Sequence, residues 1–203
     1  MNIFSEDILE YKNPIELAQE WLKWQQENCG MNYANSMSIS TCDSLGRPSS
    51  RIVLLKEITP EGFVFFSNYN SRKGQELAKN PYIAANFYWD ANFKQIKIHG
   101  IAQKTTRQEN VDYWITRPRE SQISQFVSQQ SQPVDSRATL EKLYKDAEKK
   151  LENKNVPCPE HWGGYLIKPY EIEFWIGREY RFHDRYLFSR NEAENWLGQR
   201  LFP

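Results

Sequence analysis

Between Ser36 and Ala102 the chain is a series of short apolar runs cut by turn residues, and this rhythm restricts the fold more than any other feature. Ile96 and Ile98 alternate with Gln95, Lys97 and His99, the period of a strand with one buried face. Strands are predicted at Ser36–Cys42, Arg51–Lys56, Phe63–Asn68, Tyr82–Trp89 and Lys94–Ala102. Thr59-Pro60-Glu61-Gly62 separates two of them and reads as a hairpin turn. After a helical interval, strands are expected again at Gly164–Lys168, Glu171–Trp175, Tyr180–Ser189 and near the closing Gln199–Pro203.

The helices are fewer. Pro14–Asn28 places Ile15, Leu17, Ala18, Trp21 and Leu22 at helical spacing, with Asn13 as cap, Pro14 in the first turn and Gly30 as stop. Shorter helices are predicted at Ser71–Asn80, Arg107–Thr116 and Pro118–Val127, and a charged one at Ser136–Asn153. Many short strands and few helices imply a mainly β (α+β) chain, an antiparallel barrel with peripheral helices. A single domain is expected over residues 1–203. It comprises an N-terminal helical segment (1–35), barrel strands (36–105 and 162–203) and a helical insertion (106–155).

Charge and composition exclude several classes. The chain has 26 basic and 26 acidic side chains, so a protein that coats nucleic acid is not expected. No apolar run is long enough for a spanning helix, and the mean hydropathy is −0.77, so no membrane partner is expected. Met1–Asp7 has neither a basic nor an apolar leader region, which points to the cytoplasm. Cys29, Cys42 and Cys158 form no Cys-x-x-Cys pair, and His99, His161 and His183 lie far apart, so no metal site is expected. The neutral total hides a gradient. Residues 1–50 hold three basic and seven acidic side chains, whereas residues 51–150 hold 16 and 11. Solvated surface explains this blandly; a small anionic ligand explains it more sharply.

Four segments carry that second explanation. Ser71-Arg72-Lys73 opens a helix, where free N–H groups and two cations can cradle a phosphate; a capped surface helix is the plainer reading. Arg51-Ile52-Val53-Leu54-Leu55-Lys56 is an apolar strand bounded by cations, whose five-residue spacing puts Arg51 and Lys56 on opposite faces. Tyr113, Arg117 and Ser121 recur every four residues around Pro118, a set of groups suited to a phosphate monoester or to an exposed helix corner. Arg181, His183 and Arg185 alternate on a predicted strand and are expected to project from one face, where they meet an anion or an electron-rich ring.

Taken in order, these segments resemble the pyridoxine (pyridoxamine) 5′-phosphate oxidases. The matching stretches are Arg51–Lys56, Ser71-Arg72-Lys73, Arg117–Gln122, Ser128-Gln129-Gln130-Ser131, Trp162-Gly163-Gly164, Glu173-Phe174-Trp175, Arg181–Arg185 and Arg200–Pro203, so the likeness runs from about Gly46 to the C-terminus. The resemblance implies an FMN-binding split β-barrel acting as a homodimer with flavin at the interface. It implies oxidation of pyridoxine or pyridoxamine 5′-phosphate to pyridoxal 5′-phosphate, with O2 reduced to H2O2.

The same resemblance implies the site. FMN is expected to meet Arg51, Ile52, Val53, Leu54, Leu55, Lys56, Phe66, Ser67, Arg72, Lys73, Gln95, Gln130, Ser131, Trp175 and Arg185. Arg72 and Lys73 would hold its phosphate. The substrate phosphate is expected at Lys56, Tyr113, Arg117 and Ser121. Arg181 and His183 are the implied catalytic pair, facing the pyridine ring: Arg181 clamps it and polarises the reacting group, and His183 orients it and helps move a proton.

Two departures stand out. Phe66-Ser67 replaces a common Tyr-Thr pair but keeps a hydroxyl. Residues 32–37 differ from the family's acidic-Pro-Asn-Ala-Met stretch, and the segment before the first helix is short; these departures bear on closure over substrate and its affinity rather than on flavin binding. A related FMN oxidase acting on a phenazine-type ring, and a flavin- or pyridoxal-phosphate-binding protein without turnover, are the alternatives.

Overall fold

The structure is a computed structural model and describes residues 6–203. The opening five residues, part of the leader argument above, lie outside them. A 3-10 turn (Glu6–Glu10) precedes α1 (Pro14–Asn28). Strands β1 (Ser36–Cys42), β2 (Pro48–Thr59) and β3 (Gly62–Asn68) follow, then α2 (Arg72–Lys79), β4 (Tyr82–Trp89) and β5 (Lys94–Lys104). Helices α3 (Arg107–Ile115), α4 (Arg119–Val127) and α5 (Arg137–Lys150) form the helical interval. The chain ends with β6 (Trp162–Ile176), β7 (Asp184–Arg190) and β8 (Trp196–Leu201).

All strand pairs are antiparallel, in the order β3-β2-β1-β4-β5-β6-β7-β8, and an additional β3–β6 pairing closes the first six into a barrel. Closure removes the free edges that an open sheet would leave. β7 and β8 extend the sheet beyond the closed barrel. No helix among the described residues is long and apolar enough to cross a membrane.

Local chemistry explains most boundaries. The Asn13 side chain accepts from the Ile15 N–H at 3.0 Å, and Pro14 occupies the first turn of α1. Thr106 and Glu109 form a reciprocal capping box on α3. Pro118 ends one helix and starts the next, so α3 and α4 are separate.

Two expectations about strands are corrected. Gly164–Lys168 and Glu171–Trp175 belong to the single strand β6, which accommodates a register shift opposite His99 and Gly100. Pro169 is tolerated at that irregularity, and Gly100 is required there, because a Cβ would stand 2.6 Å from the Lys168 carbonyl oxygen. The last hairpin starts later than Tyr180: β7 begins at Asp184, and Glu179–Arg181 is a 3-10 turn. Tyr180 and Arg181 there have φ of 55° and 63°, outside the strand region.

Two apolar clusters hold the molecule. The larger fills the barrel and joins α1 to it, with Leu17, Trp21, Ile39, Phe63, Phe65, Ile98 and Phe174 essentially buried. The smaller lies under α3–α5 and contains Trp114, Ile123, Ala147, Leu151, Val156 and Trp162. Phe66 packs on the second cluster from β3, so the barrel wall and the helical layer meet at one seam.

Candidate functional site

A cavity of about 640 Å³ opens at that seam. It is lined by Arg51–Leu54, Lys56, Phe66, Ser67, Arg72, Lys73, Arg117, Gln130 and Ser131, with Ser49, Ser50, Gln125 and Trp162 completing the wall. Residues far apart in sequence but singled out by their chemistry therefore share one space.

Its positive floor is the start of α2. Ser71 caps the helix, donates to the Asn68 carbonyl at 2.6 Å and is fully buried. Ser131, at φ 74°, brings its Oγ to the Arg72 backbone N–H at 3.2 Å, tying the loop after α4 to this helix end. Lys73 is buried. Its Nζ donates to Ser67 Oγ at 2.9 Å, Gln130 Oε1 at 2.9 Å and Ser71 Oγ at 3.2 Å. All three acceptors are neutral. Burial, and then the nearby Arg51 charge, bring the Lys73 ammonium down from 10.5 to about 8. A buried ammonium among neutral acceptors favours an incoming anion.

Arg51 and Lys56 both line this cavity, as do Ile52, Val53 and Leu54 between them, so residues of both strand faces meet it. The β2–β3 register pairs Leu55 with Phe65 and Glu57 with Val64, so Lys56 is the extra residue of a bulge and strand parity breaks there. Leu55 does not line the cavity: its side chain is buried in the barrel core, its N–H donates to the Asn35 carbonyl at 2.9 Å and its carbonyl accepts from Asn35 Nδ2 at 2.8 Å.

Glu76 was not singled out from the sequence. It is buried, and its carboxylate accepts from Thr41 Oγ1, from Ser49 Oγ at 2.7 Å and from Arg72 Nε at 2.8 Å, with Arg51 Nη2 at 3.4 Å. Burial raises its pKa, but these hydrogen bonds and the Arg51 charge outweigh it and bring the group down to about 2. The four-residue spacing from Arg72 was the available signal.

The opposite wall is aromatic. Tyr113 stacks on Phe66 at 4.0 Å, and Phe66 stacks on Trp162 at 5.2 Å. The Arg117 guanidinium lies 5.1 Å from the Trp162 ring centre, and its buried Nε has no hydrogen-bond partner among the described residues. Burial pushes this guanidinium down from its ordinary value, against a smaller upward effect of Tyr113. Lys56 and Phe66 also line an adjoining cavity of about 490 Å³ that Tyr113 enters. Ser121 sits in the first turn of α4 and lines neither cavity.

The remaining expected residues form a separate row. Gln95, Trp175 and Arg185 are register partners across β5, β6 and β7. Glu173, quoted above within a matching stretch but given no role there, takes both Arg185 Nε at 2.7 Å and Nη2 at 3.0 Å, and Lys97 Nζ at 2.6 Å. The His183 ring centre is 4.6 Å from that of Trp175, and His183 Nδ1 accepts from the Arg178 N–H at 3.1 Å. When neutral, the ring therefore carries its proton on Nε2. Arg181 and His183 precede β7, so the one-face strand argument for Arg181, His183 and Arg185 fails: a turn, not strand alternation, places the first two. None of this row lines the cavity at the α2 end within one chain.

Comparison with known proteins bears on the family and the fold. Residues 25–149 match the family model described as pyridoxamine 5′-phosphate oxidase, and residues 162–203 match the pyridoxine 5′-phosphate oxidase C-terminal dimerisation region. A pyridoxine/pyridoxamine 5′-phosphate oxidase of Psychromonas ingrahamii is 43% identical over 99% of this chain and 92% of that protein. One from Alteromonas mediterranea is 42% identical over 94% and 90%. The crystal structure of PhzG from Burkholderia lata 383, in complex with tetrahydrophenazine-1-carboxylic acid, superposes with a TM-score of 0.92 at 26% identity, covering 100% of this chain and 99% of that one. With its closed barrel, two added strands and cationic cavity, the chain belongs to the pyridoxine/pyridoxamine 5′-phosphate oxidase family.

Proposed function

We propose that this chain is an FMN-dependent oxidase that converts pyridoxine or pyridoxamine 5′-phosphate to pyridoxal 5′-phosphate. The observation that carries the reading is the buried Lys73 ammonium, held by neutral acceptors at a helix start and flanked by Arg51 and Arg72. That donor set fits a phosphomonoester. FMN is the cofactor it suits: Arg72, Lys73 and Ser131 would hold its phosphate, and residues Arg51 to Leu54 and Lys56 would hold the rest of it.

When bound, FMN supplies the two-electron acceptor and O2 removes those electrons as H2O2; with the amine substrate, water supplies the aldehyde oxygen and the nitrogen leaves as ammonia. The protein's part is binding and orientation. Lys56 and Arg117, which line the same cavity, take the substrate phosphate, with Tyr113 reaching from the adjoining cavity and Ser121 behind Arg117, whose Nη2 meets the Ser121 carbonyl at 3.5 Å. The unpaired Arg117 Nε and the aromatic wall beneath it favour a planar anionic substrate. Arg181 clamps the pyridine ring and polarises the C4′ alcohol or amine. His183 orients it and helps move its proton.

Gln95, Trp175, Arg181, His183 and Arg185 lie apart from the phosphate cradle within one chain. The dimerisation-region match over residues 162–203 supports a homodimer, and we assign these residues to the cradle of the second copy. Homodimer and flavin are thus parts of one site. The location we assign is the cytoplasm.

A phenazine-type ring is the second reading, favoured by the whole-chain likeness to the phenazine-bound structure. Purified protein given FMN, O2 and pyridoxine 5′-phosphate is expected to form pyridoxal 5′-phosphate and peroxide. Turnover of a carboxylated tricyclic ring in preference to the vitamin phosphate establishes the second reading instead, and no product under saturating FMN refutes the first.

A further inference from the structure

We propose that Glu76 is a positioning residue: it holds the Arg51 and Arg72 guanidiniums in the arrangement that receives a phosphomonoester, and so makes the cavity select a phosphorylated flavin over one without phosphate. The inference rests on the cofactor reading above and extends it to a residue that touches neither flavin nor substrate.

The geometry is specific. Glu76 comes from α2 and is buried, yet its carboxylate collects donors from three elements: Thr41 on β1, Ser49 and Arg51 on β2, and Arg72 on its own helix. Arg51 is tied at both ends of its fork. Nη1 donates to Thr41 Oγ1 at 2.7 Å, and Nη2 donates to Ser49 Oγ at 2.6 Å and reaches Glu76 at 3.4 Å. Arg72 spends Nε on Glu76 at 2.8 Å, and both arginines line the cavity. Free arginine side chains lose much rotamer freedom when they bind an anion. Glu76 removes that freedom before the phosphate arrives, which is preorganisation.

Charge alone argues the other way. A carboxylate beside an anion site weakens the local positive potential, so neutralising Glu76 should tighten phosphate binding if it were only a counter-ion. Positioning and charge compensation therefore predict opposite signs. Packing alone does not call for a carboxylate, since an apolar side chain of similar volume costs less to bury.

The test uses apo-protein titrated with FMN and, separately, with riboflavin, followed by quenching of flavin fluorescence, for wild type, Glu76→Gln and Glu76→Asp. Melting of each apo-protein is recorded alongside. Glu76→Gln is expected to lose FMN affinity by about tenfold or more while riboflavin affinity stays within about twofold. Glu76→Asp keeps the charge but is one methylene shorter, and is expected to lower the FMN-to-riboflavin ratio as well. A ratio unchanged or raised in both variants overturns the inference. Equal loss of both flavins, or failure of both variants to fold, assigns Glu76 to the fold alone and also overturns it. If only Glu76→Gln fails to fold, the Glu76→Asp ratio decides. Wild-type protein that does not bind FMN refutes the cofactor reading itself, a result visible before any variant is made.

Discussion

Replacing Lys73 with methionine separates binding from stability, because the two are expected to move in opposite directions. Lys73 is 8% exposed, and its Nζ has neutral oxygens at 2.9, 2.9 and 3.2 Å. The drop from 10.5 to about 8 corresponds to at most about 3 kcal/mol against the charged form at neutral pH. Methionine removes that penalty and keeps most of the volume. It also forfeits hydrogen bonds worth about 1 kcal/mol each, so the net gain in the apo-protein is about 1 kcal/mol or less. For a chain of this size, 1 kcal/mol moves the melting temperature by about 2–4 °C. Apo Lys73→Met is therefore expected to melt level with wild type or up to that much higher. FMN affinity is expected to fall by about tenfold to a hundredfold, the worth of one charge-assisted hydrogen bond of roughly 1.5–3 kcal/mol.

The pH dependence carries the same sign. A lysine whose folded value is depressed leaves the native state with fewer protons than the unfolded chain between about 8 and 10.5. Through Lys73, the stability of the apo-protein thus rises with pH across that window. Bound phosphate favours the charged amine, so FMN affinity should decline above about pH 8 in wild type and stay flatter in Lys73→Met. Scanning calorimetry and flavin titration at several pH values measure both. An apo variant that melts well below wild type, with unchanged FMN affinity, would falsify the view of Lys73 as an anion-binding group and leave it a structural one.

Other expectations follow from the same contacts. Arg181→Ala is expected to keep FMN and lose oxidation of pyridoxine 5′-phosphate; unchanged turnover places the ring-side role elsewhere. Gly74→Ala should destabilise the protein by about 1–3 kcal/mol, because the new Cβ collides with the Tyr69 backbone carbonyl. Helix propensity alone predicts a stabilisation of about 1 kcal/mol, so the direction of the melting shift decides. Glu76, lowered from 4.5 to about 2, contributes stability present above pH 4.5 and lost as pH falls toward 2. Its share is at most about 3 kcal/mol, and acid unfolding of Glu76→Gln should be correspondingly shallower. Identical acid-unfolding curves for the two proteins contradict this assignment.

The elements whose causes are local were legible in the residue order. Asn13 and Pro14 mark the start of α1, Ser71 caps α2, and the alternation around Ile96 identifies β5, because caps and periodicity act within a few residues. The cationic segments were legible too, since Arg51, Lys56, Arg72, Lys73 and Arg117 stand out by type and position. Tertiary structure decided how they meet. Arg51 and Lys56 line one cavity together with residues of both strand faces, and the bulge at Lys56 exists only through the pairing of β2 with β3. The continuity of β6 past Pro169 depends on its partner β5, and the left-handed turn at Tyr180 and Arg181 replaces the strand that alternation predicted. Glu76 and Glu173 acquire meaning only when β1, β2 and α2, or β5, β6 and β7, bring their donors to them. Sequence spacing determines which face a residue takes within its own element; only the packed fold determines which charges share a desolvated space, and that sharing gathers the scattered cations of a neutral chain around one cavity.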